Sequence, residues 1–251
     1  MRSGRGASRM RRGRGAWLAS LSAALLLSGA ADAQPGAAPP AGPKPGAPAP
    51  GPTTWFGQAL ARSDAGLNVT YFWSKGDELR AETVVLGHKI VTILRGGRYI
   101  SYDALNRVGI DLGRSKAAIA ADAARARPFG NELERLLAQG GEKVGEETLQ
   151  GVPCEIFRIT DERGRREVWA LKTGSRLPVR VVVFDRRRGA RIQTDYVNWQ
   201  SGLPIDDSFF APEAGIEFQR MGFEEYSERV LKGGPVGPVP ILYADLLIGD
   251  E

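Results

Sequence analysis

From residue 67 onward, apolar and polar positions alternate in short runs broken by Gly, Asp and Asn. Period-two runs of this kind predict half-buried β-strands. Residues 68–74 place Val69, Tyr71 and Trp73 on one face, and Lys75-Gly76-Asp77 supplies a tight turn. Further strands are expected over 78–86, 88–94, 98–102 and 107–112. Gly87, Arg95-Gly96-Gly97 and Asp103-Ala104-Leu105-Asn106 separate them. Connections this short join antiparallel neighbours.

The period changes between residues 115 and 139. Residues 116–127 are alanine-rich and predict a helix that Pro128 and Gly130 end. Asn131 then reads as the N-cap of a second helix, with Glu134 at the capping-box position. Leu133, Leu136 and Leu137 fall along one side of that helix, and Gly140-Gly141 closes it. Strand patterns resume over 142–150, 154–160, 165–171, 178–184 and 191–199. A short helix is expected around 55–62, and Ile241-Leu242-Tyr243 would add an edge strand. The fold class is therefore α+β, a curved antiparallel β half-barrel of ten or eleven strands with helices covering its concave face. The mid-chain helical pair argues against a closed up-and-down barrel.

Before the strands lie two segments of other character. Residues 1–33 combine an Arg-rich start, a short apolar stretch and Ala31-Asp32-Ala33, the pattern of a cleaved signal peptide. Export is expected, with cleavage before Gln34, no transmembrane segment after processing, and no lipoprotein anchor because no Cys lies nearby. Residues 34–52 hold eight Pro, four Gly and five Ala, which predicts an extended, disordered linker. The folded domain is placed at 53–251, with 222–251 as a C-terminal extension.

Charge alters the picture little. The formal net charge is +5, but six Arg and one Asp fall within the first 33 residues, leaving 28 basic and 28 acidic residues elsewhere. The domain thus lacks the basic footprint of a nucleic-acid binder. One Cys and one His exclude disulfide frameworks and multi-His metal sites. No phosphate loop, dinucleotide fingerprint or nucleophile elbow is present. Adjacent acids such as Asp206-Asp207, Glu146-Glu147 and Glu224-Glu225 project to opposite faces of a strand and make no shared acid-base site. His88 opens a strand with no partner evident in the sequence, and Cys154 reads as a small buried hydrophobe. No catalytic residue, cofactor or metal is assigned. The remaining candidates are apolar: Trp73, Trp169, Phe184 and Trp199 lie on strands where they would line any concave cavity.

Residues 71–103, YFWSKGDELRAETVVLGHKIVTILRGGRYISYD, resemble the first half of the LolA-like superfamily, which comprises periplasmic outer-membrane lipoprotein carriers and their sorting relatives. A second stretch, from Glu147 to Met221, resembles the same group. It contains Glu147-Thr148-Leu149-Gln150-Gly151-Val152-Pro153-Cys154, Val168-Trp169, Leu177-Pro178-Val179-Arg180 and Phe210-Ala211-Pro212. The resemblance implies a periplasmic, non-enzymatic protein with a hydrophobic cavity for acyl chains of lipids or lipoproteins. It also implies a membrane-bound donor or acceptor as a partner. Arg80 matches the arginine that holds the covering helix closed in the carrier, although Ala81 follows it here where the carrier has Pro. Leu133, Leu136 and Leu137 would belong to the lid. A sensor of envelope state using the same fold, and a structural envelope protein with a filled core, remain as alternatives.

Overall fold

The computed structural model describes residues 53–64 and 66–249, so the expected leader and linker lie outside the described residues. The described residues open with strands β1 (Thr54–Ser63), β2 (Gly66–Lys75), β3 (Glu78–Val85), β4 (His88–Arg95), β5 (Arg98–Asp103) and β6 (Val108–Gly113). Helices α1 (Lys116–Ala123) and α2 (Glu132–Ala138) follow. Then come β7 (Glu142–Leu149), β8 (Val152–Thr160), β9 (Gly164–Leu171), β10 (Pro178–Asp185) and β11 (Ala190–Ser201). The chain ends with β12 (Glu217–Met221), α3 (Phe223–Leu231) and α4 (Ala244–Ile248).

All twelve strands join one open, curved sheet in the order β12-β6-β5-β4-β3-β2-β1-β11-β10-β9-β8-β7. The count exceeds the expected ten or eleven for two reasons. Trp55, Phe56, Ala59 and Leu60 suit a helix by spacing, yet the segment is β1, hydrogen-bonded to β2 on one side and β11 on the other. Tertiary pairing at the centre of the sheet overrides the local pattern. The second addition is β12, which pairs with β6 in parallel register, so the sheet is not wholly antiparallel. The expected edge strand at Ile241-Leu242-Tyr243 does not form.

Six strands separate β11 from β12, so residues 202–216 must cross roughly 34 Å of sheet at about 4.8 Å per strand. They do so over the outer face. Phe209 and Phe210 sit in a 3-10 turn against β3 and β4, and Phe210 is fully buried. Ile216 and Phe218 pack with Val91, Ile93, Ile100 and Tyr102 in a small outer core. After β12 the chain returns over the opposite face. Tyr226, Val239, Leu246 and Leu247 there join Leu79, Leu94, Tyr99 and Leu112 in the main core. Each such side chain contributes about 1.5–3 kcal/mol by leaving water. Residues 222–249 thus contribute Tyr226, Val239, Leu246 and Leu247 to the core rather than forming an appendage.

The helical interval is shorter than expected. α1 begins with Ser115 as N-cap, its hydroxyl accepting from the Ala118 N–H at 2.9 Å. It stops at Ala123, four residues early, because Pro128 disfavours helical conformation before it and residues 124–131 form a loop instead. Asn131 makes no side-chain cap on α2; its amide donates to the Arg127 carbonyl at 2.8 Å. Arg114 donates to the Leu246 carbonyl at 2.6 Å and forms a buried ion pair with Asp122, which ties β6, α1 and α4 together. Burial raises the Asp122 carboxyl above its ordinary pKa even though Arg114 opposes that shift.

Candidate functional site

The register assigns every side chain to a face. Gly57, Ala59 and Ala61 of β1 lie opposite Phe72, Thr70 and Asn68 of β2, and Phe72 and Ser74 lie opposite Ala81 and Leu79 of β3. These residues face the helices on the concave side. Small residues on β1 leave a trough there, and the loop between α1 and α2 fills it.

Phe129 enters the trough from that loop. Its ring stacks on Phe72 at 5.0 Å between centroids with 12° between planes, and on Trp199 at 5.4 Å and 7°. Tyr196 extends the stack, 5.4 Å from Trp199. Tyr196 and Trp199 share a face although three residues apart, because Asn198 takes a left-handed conformation (φ 57°) beside a register shift opposite Phe56 and Gln58. Two glycines permit this closeness. A Cβ on Gly57 would sit 3.0 Å from both Phe129 and Trp199, and one on Gly130 would sit 2.5 Å from the Trp199 ring. Arg127, also buried, lies over Trp55 and Trp199 at 5.1 and 5.2 Å and donates to the Gly130 carbonyl at 2.8 Å. Its guanidinium therefore rests on two indole faces.

Beside this plug remains a cavity of about 260 Å³, bordered by Ala59, Phe72, Phe129, Glu132, Tyr196 and Tyr243 among others. Its polar wall is unusual. The Tyr196 hydroxyl donates to Glu132 Oε1 at 2.6 Å, while the buried Glu132 Oε2 has no hydrogen-bond partner. Arg135, one turn along α2, pairs with Asp245 at 2.7 Å. Burial pushes the Glu132 carboxyl above the ordinary carboxylate range. Burial and the neighbouring Glu132 likewise raise the Tyr196 phenol.

The aromatic candidates do not converge. Trp199 belongs to the concave stack, but Trp73 lies opposite Arg80 on the outer face, 5.4 Å from Phe209. There Trp73, Leu203, Pro204, Ile205 and Phe209 border a separate recess of about 470 Å³. Trp169 lies opposite Arg180, on the face away from Val168 and Ala170, and its indole N–H donates to Glu147 at 3.0 Å. Phe184 lies on that same outer face and is exposed. One shared cavity for Trp73, Trp169, Phe184 and Trp199 is therefore excluded by the pleat.

Among the lid candidates, Leu133 and Leu136 are buried where α2 packs on β8, β9 and β10, whereas Leu137 is exposed. Arg80 is not a latch on that helix. It hydrogen-bonds Glu82 at 2.8 Å and the Phe209 carbonyl at 3.2 Å and forms a looser ion pair with Glu213 at 3.6 Å, all on the outer face. His88 does have a partner, Asp103 Oδ2 at 2.7 Å from Nδ1. Asp103 also accepts from the Leu105 and Asn106 N–H groups at 2.8 and 3.1 Å, so this pair closes a turn. Cys154 is buried, as expected for a small hydrophobe.

Sequence reasoning missed Phe129, Tyr196, Glu132 and Leu247. Phe129 had a legible signal, an aromatic side chain between Pro128 and Gly130, where an exposed turn gains nothing from one. Leu246-Leu247 beyond a Gly/Pro-rich stretch was a second.

No protein-family profile and no curated protein sequence matches the chain. Among solved structures, an uncharacterized conserved protein from Thermus thermophilus is similar at a TM-score of 0.49 and 11% identity, covering 67% of this chain and 90% of that one. The Pseudomonas aeruginosa MucA/MucB complex gives 0.43 and 14%, covering 66% of this chain and 57% of that one. The Mycobacterium tuberculosis lipoprotein LppX gives 0.39 and 13%, covering 62% and 90%.

Proposed function

We propose that the protein is an exported, non-catalytic binder of acyl chains, carried on lipids or lipoproteins, with the concave face as its binding groove. The stacking of Phe129 between Phe72 and Trp199 carries this reading, because an apolar side chain from a loop occupies the trough a ligand would use. The open cavity of about 260 Å³ falls below the roughly 300–1,000 Å³ of ordinary ligand sites. A long chain therefore binds only by evicting the loop.

The energies favour that exchange for long chains alone. Exposing Phe129 costs about 1.5–3 kcal/mol. Burying an acyl chain gains about 0.8 kcal/mol per methylene, or on the order of 12 kcal/mol for sixteen carbons. The signal-peptide pattern of residues 1–33 supports action in the periplasm, where water offers an acyl chain no refuge.

Titration of the protein with saturated fatty acids of increasing length tests the proposal. Affinity should rise about fourfold per added methylene, as 0.8 kcal/mol requires. Affinity that is absent, or independent of length, would refute acyl binding and favour a protein partner.

A further inference from the structure

The polar wall of the concave cavity is not needed to hold an acyl chain, and its charges are incompletely matched. Glu132, Arg135 and Asp245 all border the cavity, two carboxyls to one guanidinium, and Arg135 pairs with Asp245 at 2.7 Å. Arg127 does not border it and rests on Trp55 and Trp199 instead. Glu132 Oε1 is satisfied by the Tyr196 hydroxyl, and Oε2 is buried with nothing bonded to it. A buried carboxylate oxygen left unpaired is costly unless a cation or donor meets it. Around it stand aromatic rings: Phe129 stacks on Phe72, Tyr243 meets Phe72 edge-on at 5.7 Å, and Tyr196 forms part of the same wall. A carboxylate within a box of aromatic faces is the chemistry that holds an ammonium group.

We propose that this cavity receives the ammonium end of an amphiphile, with Glu132 Oε2 as its hydrogen-bond acceptor and Phe72, Tyr196 and Tyr243 as its aromatic walls. The inference rests on the concave groove being the acyl site: the chain takes the trough vacated by Phe129, and the head group meets Glu132. The raised pKa of Glu132 accords with a carboxyl that a bound cation would ionise.

Calorimetric titration with dodecylammonium and the neutral, equally long dodecanol separates the two ideas. Wild-type protein should bind dodecylammonium about tenfold tighter, the scale of one charge-assisted hydrogen bond with aromatic contact. Glu132→Gln should bring the two affinities together. Equal affinities in the wild-type protein, a comparison that needs no variant, would overturn the inference and leave the acyl site standing. A preference that survives in Glu132→Gln would overturn it too. Failure of both ligands to bind would overturn the acyl reading as well. Vesicles identify the source of the ammonium. Preferential uptake from phosphatidylethanolamine over phosphatidylglycerol of the same chains supports a lipid head group. Indifference between them, with the dodecylammonium preference retained, supports a free amine.

Discussion

The ring of Phe129, on a loop, lies 5.4 Å from the indole of Trp199, on a central strand, with 7° between the planes. The contact joins the covering segment to the concave face of the sheet. It depends on Gly57 and Gly130, where an added Cβ would press on the stacked rings. On the proposed function, the same contact keeps the groove closed at rest and marks what an acyl chain would displace.

Gly130→Ala tests the fit. Gly130 has φ 67°, and its added Cβ would fall 2.5 Å from the Trp199 ring. The left-handed backbone alone costs about 1–2 kcal/mol for an alanine. Thermal unfolding should show at least that loss, together with a changed tryptophan emission as the loop is pushed away.

Phe129→Ala should lower stability by about 3–5 kcal/mol, as large-to-small changes in packed sites do. It should also tighten acyl-chain binding, because no plug remains to be evicted. Parallel denaturant unfolding and fatty-acid titration separate these effects. Weaker binding in a folded variant would show that Phe129 forms part of the site rather than its stopper.

Arg80→Leu should leave acyl affinity unchanged. Arg80 bonds Glu82 and the Phe209 carbonyl on the outer face, far from α2. Loss of charge-assisted hydrogen bonds predicts a stability decrease of about 1–3 kcal/mol by denaturant unfolding. A large change in binding would restore the arginine latch expected from the family resemblance.

The pH dependence of stability should carry a signature of Glu132. Burial raises its pKa in the folded state, outweighing the Tyr196 hydrogen bond. Its contribution is therefore fully present below the ordinary carboxylate pKa and is lost as pH rises through the raised one. Asp122 shifts in the same direction, so the difference between wild type and Glu132→Gln isolates the effect. That difference should fall as pH increases, measured by denaturant unfolding at several pH values.

Leu247→Ala should cost about 2–5 kcal/mol, since Leu247 is fully buried in the main core. A negligible loss would mean that α4 is dispensable, contrary to its hydrogen bonds with Ser115 and Arg114.

The strands from β2 to β6 and from β7 to β11 were legible in the sequence because turns and alternation mark them, and the mid-chain helical pair was legible from its change of period. The period-two pattern tells which residues share a face but not which face the helices cover. In β2 both faces carry large side chains, Val69, Tyr71 and Trp73 on one and Phe72 on the other. The choice is made by where residues 202–216 and 222–249 run, which no local pattern encodes. The bulge at Asn198, which brings Trp199 beside Tyr196, is equally invisible to alternation. β1 was read as a helix because its pairing partners lie both next to it and at the far end of the chain.

The indole N–H groups of Trp199 and Trp169 report on opposite faces, one bonded to the Pro178 carbonyl at 2.9 Å and the other to Glu147 at 3.0 Å. Their nuclear magnetic resonance signals, followed while palmitate is added to the ¹⁵N-labelled protein, test the displacement of Phe129 most directly. The account predicts a saturable shift of the Trp199 signal with Trp169 and Trp73 unmoved. Shifts confined to the outer-face indoles, or none at saturating palmitate, would contradict it.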